Sequence, residues 1–200
     1  MPLIGENLGH YYHKDRWIFK DINISVEPGE VLGLSGYSGC GKTTLARILA
    51  GYISPRAGIV RTDHNDGKRE RFRPVQLIYQ HPEKAINPKW RMRDVVTESY
   101  TPSRDILDAF EIREEWMNRW PVELSGGEKQ RFCIVRALNP ATKFIIADEM
   151  TTMLDAITQA QIWNAFLRIC KSREIGVIVV SHEISLLNRV CDNIFKVGEQ

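Results

Sequence analysis

Residues 31–43 read VLGLSGYSGCGKT, and this stretch decides the fold. Val31 to Ser35 is a short, mostly apolar run that enters a glycine-rich turn; Thr43 to Gly51 then reads as a helix closed by its glycine, with Pro55 beyond. Gly36, Gly41, Lys42 and Thr43 fill every fixed position of G-x-x-x-x-G-K-[ST]. The glycines allow backbone N–H groups to converge on phosphate oxygens, and the helix N-terminus adds partial positive charge. Gly36, Ser38, Gly39, Cys40, Gly41, Lys42, Thr43 and Thr44 are therefore the candidate phosphate cradle. In it Lys42 supplies a point charge and the Thr43 hydroxyl a ligand for Mg2+.

Farther along the chain, Val75 to Tyr79 reads as a strand, and Phe144–Ala147 and Val177–Val180 are nearly all apolar. Such runs are expected of parallel strands covered on both faces by helices. The last two end at polar pairs, Asp148-Glu149 and Ser181-His182, and ligands of open α/β sheets gather beyond the carboxyl ends of the strands. Asp148 is thus a candidate Mg2+ carboxylate, and Glu149 is placed to polarise an attacking water. From about Glu83 to Ala141 the pattern turns mostly helical, with Trp90, Trp116 and Trp120 among many charges. It predicts a helical subdomain over about 83–140, inserted in a core of about 1–82 and 141–200, the whole forming one domain. Trp116 and Trp120, four apart, are expected to pack this subdomain from one helix.

Apolar residues make up 43% and charged residues 26% of the 200, the balance of an ordinary globular chain. A net charge of +2 argues against a polyanionic partner such as nucleic acid. The nearest basic stretch, Arg61 to Arg73, interleaves Asp63, Asp66 and Glu70 and reads as a solvated hairpin turning at Asp66-Gly67. No apolar run approaches the ~20 residues that span a bilayer, and no signal-peptide pattern opens the chain, so a cytosolic location is expected. Cys40, Cys133, Cys170 and Cys191 lie far apart with no zinc-site spacing, and reduced thiols are expected. Cys40, near a helix N-terminus, is the candidate for an oxidation-sensitive thiol.

Residues 124–131, LSGGEKQR, open a second helix that runs to about Leu138 before Asn139-Pro140. Ser125 and Glu128 form a capping box, which any helix could use. A capping box does not need Gly126-Gly127, however; these leave backbone amides bare at the helix start, a second anion site without a lysine of its own. With both devices in one chain, the sequence resembles the ABC ATPases over essentially its whole length. The resemblance implies an α/β fold: a RecA-like P-loop NTPase core with a mostly parallel sheet, an N-terminal antiparallel β portion and the helical insertion. It implies ATP with Mg2+ as ligands, and two ATPase subunits, alike or different, stacked head to tail so that the signature around Ser125 faces ATP on the partner's phosphate loop. It also implies roles for Gln80 (Mg2+, water and the membrane partner), Asp155 (across the dimer) and His182 (γ-phosphate). Tyr12, or neighbouring Tyr11, matches the aromatic that stacks on adenine.

A narrower resemblance, to the peptide and nickel importer ATPases, lies in YQHPEKAINP (79–88) and TTMLDAITQAQ (151–161). It implies membrane permease subunits, a solute-binding protein and attachment to the inner face of the cell membrane. Met150 departs from the proline usual after the catalytic glutamate, which loosens a rigid corner. The chain also stops soon after Val197-Gly198, without the extension common in peptide importers, and the cargo stays open. The rival readings fit less well. ABC ATPases of soluble repair, translation or metabolic assemblies usually carry a second ATPase domain, a long coiled coil or a basic surface, and a small-molecule kinase has no use for LSGGEKQR.

Overall fold

The computed structural model describes residues 1–14, 16–62 and 72–198. Two long strands come first, β1 (Leu3–His13) and β2 (Arg16–Val26), paired antiparallel. In β2 Ile22, Ile24 and Val26 are buried while the residues between them are exposed, the period of a strand with one wet face. They are followed by β3 (Val31–Ser35), α1 (Lys42–Leu49) and β4 (Ala57–Arg61). The first sheet has the order β2-β1-β4, so β1 lies in its middle.

Next come β5 (Val75–Ile78), three short helices α2 (Met92–Val96), α3 (Arg104–Ala109) and α4 (Glu114–Met117), the longer α5 (Gly126–Ala137), and then β6 (Phe144–Asp148). The chain continues with α6 (Ala156–Ser172), β7 (Gly176–Val180), α7 (Ile184–Val190) and β8 (Asn193–Lys196). The second sheet has the order β5-β6-β7-β3-β8, with β6–β7, β7–β3 and β3–β8 all parallel. Every residue of β6 and β7 is buried, as their almost wholly apolar composition requires, and the one charged residue, Asp148, closes β6. The expected fold class, α/β with a parallel sheet and a separate antiparallel portion, is what the chain adopts.

The chain divides into two compact units: Met1–Leu77, Lys143–Asp148 and Cys170–Gln200 form one, Ile78–Thr142 and Glu149–Ile169 the other. In the first, α1 lies against β6 and β7, where Leu45 and Ile48 are at most 1% exposed. Burial of this degree contributes about 1.5–3 kcal/mol per side chain. In the second, α5 is the central helix. The Gln130 amide donates to the Tyr79 carbonyl at 3.0 Å, and Arg131 to the Phe110 carbonyl and the Glu111 carboxylate. Tyr100 donates to the Val135 carbonyl, and Arg136 pairs with Glu98.

Two expectations need correction. Trp116 and Trp120 do not share a helix: α4 stops at Met117, and Pro121 holds Trp120 in extended backbone (φ −81°, ψ 155°) ahead of a short 3-10 turn. Trp116 is buried, but Trp120 is 37% exposed and lies 4.1 Å from the Arg91 guanidinium. The Cys40 thiol is only 1% exposed, which shields it from oxidants in bulk water. All four cysteines are free; burial pushes Cys133 up to about 11 and Cys170 and Cys191 up to about 12, so these three thiols stay protonated and inert at neutral pH. The Asp66-Gly67 turn lies outside the described residues.

Candidate functional site

In the first unit the phosphate loop runs from β3 into α1. Gly41 is the N-cap of α1 in the left-handed region (φ 101°), and a Cβ there would come within 2.5 Å of Ile18 Cγ2 and 2.8 Å of Phe19 Cδ1. Only glycine fits, by conformation and by space. The Lys42 ammonium is folded over the loop, donating to the carbonyls of Gly36 at 2.8 Å and Tyr37 at 3.1 Å, with Cys40 Sγ 3.9 Å away. A positive charge is thereby held at the loop by short backbone bonds. Ser38 and Gly39 form the exposed crown, while the Cys40 N–H turns inward to the Tyr37 carbonyl.

Thr43 is exposed, and its hydroxyl donates to Asp148 Oδ1 across 3.4 Å, which brings the loop threonine and the end of β6 together. Two hard oxygen donors suit Mg2+. Among the described residues no cluster of three or more His, Cys, Asp or Glu stands ready to hold a metal, and Mg2+ commonly completes its shell with water and phosphate oxygens. His182 is exposed directly after β7, at the same carboxyl-terminal end of its strand as Asp148 is of β6.

Beside the loop lies a cavity of about 420 Å3, lined by Tyr12, Arg16, Trp17, Tyr37, Ser38 and Gly39 among others. Tyr12 is 57% exposed, edge-on to His10 at 5.0 Å, and its hydroxyl shares a 3.2 Å hydrogen bond with Thr44 of α1. Tyr11 sits edge-on to Trp17 and under the Arg56 guanidinium, and does not line the cavity. Alternation along β1 separates the two tyrosines, and of the two it is Tyr12 that lines the cavity. Sequence reasoning did not pick out Trp17 and Tyr37 as cavity walls.

The second unit holds Gln80, Glu149, the LSGGEKQR helix and Asp155. The Gln80 amide donates to Glu149 Oε2 at 2.8 Å. Glu149 itself is left-handed (φ 49°), a conformation that costs a non-glycine residue about 1–2 kcal/mol. At the start of α5 the Ser125 hydroxyl accepts the Glu128 N–H at 3.2 Å, and the Glu128 carboxylate accepts the Ser125 N–H at 2.7 Å, the expected reciprocal cap. The two glycines that follow also make room: a Cβ on Gly126 would stand 3.1 Å from Met153 Sδ, and one on Gly127 2.6 Å from Leu154 Cδ2. That second use of the glycines has no periodic signature in the sequence. Asp155, expected to act across a dimer, caps α6 in this chain, accepting the N–H groups of Ile157 and Thr158. Hydrogen bonds from Thr158, its side chain first, and from Ile157 hold the Asp155 carboxyl below the ordinary range.

A G-x-x-x-x-G-K-T loop, a strand-end carboxylate pair and the LSGGEKQR helix now stand in one chain, and the ABC transporter family matches residues 19–152. The chain belongs to that family, as an ABC ATPase domain. The nickel import system ATP-binding protein NikE of Staphylococcus aureus (strain bovine RF122 / ET3-1) is 32% identical, over 92% of this chain and 81% of NikE. YkfD of Bacillus subtilis (strain 168), provisionally named an oligopeptide transport ATP-binding protein, is 32% identical over 86% of this chain, which spans 59% of YkfD's length. Among solved structures, the ATP-binding cassette MJ0796, a dimer in a post-hydrolysis state with ADP and Pi, matches with a TM-score of 0.83 at 25% identity, covering 98% of this chain and 94% of that one. The cbiO1 protein of Clostridium perfringens, part of the ABC transporter complex cbiONQ, matches with a TM-score of 0.78 at 25% identity, covering 97% and 83%. Among its described residues this ABC ATPase has no helix long and apolar enough to cross a membrane.

Proposed function

We propose that this chain hydrolyses ATP as one of two ATPase subunits of an importer of the peptide or nickel type, bound at the inner face of the membrane to separate permease subunits fed by a solute-binding protein. The likeness to NikE and YkfD supports the importer type, and the dimeric MJ0796 supports the pairing. One domain over 1–200 would hold the nucleotide by the loop of Gly36 to Thr44, with Tyr12 against adenine. The signature of Ser125, Gly126 and Gly127 would face ATP on the mate, where Asp155 would also act.

Phosphoryl transfer asks a protein mainly for positioning and charge stabilisation. Lys42 would draw charge from the β- and γ-phosphates and His182 from the γ-phosphate, while Glu149 orients and polarises the water, its carboxylate aligned by Gln80. Mg2+, with Thr43, Asp148 and Gln80 as its protein ligands, would neutralise charge on the phosphate oxygens. The observation that carries this reading is the 2.8 Å bond that aims Glu149 through Gln80. Glu149→Gln should keep ATP affinity and lose at least the ~10²-fold in turnover expected of a general base. Wild-type turnover in that variant, measured as steady-state phosphate release, defeats the assignment.

A further inference from the structure

We propose that Trp163 is a positioning residue for ATP hydrolysis, holding through the Thr151 hydroxyl the turn that carries Glu149. The inference rests on the reading of Glu149 as the carboxylate that aligns water. A left-handed glutamate persists only where its surroundings over-determine it. Met150, next in the chain, keeps the backbone freedom that a proline ring at that position removes. Something else must hold the turn.

Two sets of bonds do so. Locally, the Thr152 N–H and hydroxyl both donate to the Glu149 carbonyl, at 3.3 and 3.1 Å. From α6, the Gln159 amide and the Trp163 indole N–H both donate to Thr151 Oγ1, at 2.9 and 3.0 Å. Thr151 and Trp163 are each 2% exposed, so water cannot replace a lost partner, and an unmade bond there is costly. Two donors fill the acceptor capacity of the hydroxyl and so fix its place. The indole has a single N–H in a rigid ring, itself set edge-on to Phe166 at 5.8 Å, so it sets a position where a glutamine amide can swing. The Thr151 carbonyl accepts the Leu154 N–H at 3.0 Å, and Leu154 lies against Gly127 of the signature. One buried hydroxyl thus fixes both the glutamate's turn and the segment under the signature helix.

The test uses the assembled ATPase pair with Trp163→Phe, Thr151→Val, the double variant and Thr151→Ser, reading kcat, the ATP dissociation constant and the melting temperature. Trp163→Phe and Thr151→Val should each lower kcat about tenfold with ATP affinity within about twofold, the scale of a misplaced group rather than a lost one. The double variant should be no slower than Thr151→Val, and Thr151→Ser should restore most of the lost turnover. Unchanged kcat in both single variants, additive losses, or a fall of kcat, affinity and melting temperature together in every variant that folds would each overturn the proposal. Glu149→Gln separates the two levels: if it silences hydrolysis while Trp163→Phe and Thr151→Val turn over normally, only the positioning role fails; if Glu149→Gln turns over normally, the underlying reading fails with it.

Discussion

The phosphate loop and the start of α5 both present backbone N–H groups at a helix N-terminus, yet they are built from opposite materials. The loop relies on glycines in left-handed backbone, Gly39 and Gly41 at φ 84° and 101°, and carries Lys42 folded over its own carbonyls. The signature relies on a Ser-Glu cap, and its glycines are helical, kept small by Met153 and Leu154 beside them. In the proposed reading, a site with its own cation and a glycine cradle would hold a polyanion alone. A site made of helix-start amides and a serine would, in the same reading, offer too little charge for that, and would suit a phosphate already gripped elsewhere.

The sharpest way to break this contrast is to add one methyl group to each site. Gly41→Ala forces a left-handed alanine, at about 1–2 kcal/mol, and drives its Cβ into Ile18 and Phe19. Lower stability in denaturant and loss of measurable ATP binding are expected. Gly127→Ala meets only a movable Leu154 methyl, and a helical alanine gains back roughly 0.5–1 kcal/mol over glycine. Its stability and its own ATP affinity should stay near wild type, while turnover of the assembled pair falls. Equal loss of ATP affinity in both variants would erase the distinction.

A smaller effect sharpens the loop side. Tyr12→Ala should weaken ATP binding by about tenfold, in the range of one base-stacking contact, and Tyr11→Ala by much less, since Tyr11 faces Trp17 and Arg56. Titration of both variants with ATP and with inorganic triphosphate checks this, because only the nucleotide should feel Tyr12. The smallest effect lies beside the signature. The hydrogen bonds to Asp155 depress its folded pKa, so their stabilisation is present above its ordinary value of 3.8 and is lost as pH falls toward the folded value. Asp155→Ala should therefore melt at a lower temperature than wild type at pH 7, and the gap should close below about pH 3.8. A gap that stays constant through acid would remove the charged cap from the account.

Much of the sheet was legible because it is written in continuous runs. The strand at 31–35 coincides with β3, and the runs at 144–147 and 177–180 lie within β6 and β7, since strands buried on both faces tolerate little but apolar residues. The helix from Gly126 announced its start by its capping box. The helices between residues 92 and 117 were legible only as a region: at four to six residues they are too short for a 3.6-residue period to repeat. The pairing of Thr151 with Trp163 was invisible because it joins a turn to a helix twelve positions on, by one oxygen and one N–H. Nor did the pattern reveal that the signature glycines serve as clearance for Met153 and Leu154, because steric room between segments leaves no local mark.

The proposed division of labour between the two candidate anion sites can be measured by photolabelling the assembled ATPase pair with an azido-ATP, each subunit separable by size or tag. Lys42→Ala should remove the label from the subunit that carries it and spare the mate. Ser125→Glu, which places a carboxylate among the bare amides, should instead remove the label from the mate and leave the altered subunit labelled. Loss of label from the Ser125→Glu subunit itself, with its mate labelled normally, would contradict the account.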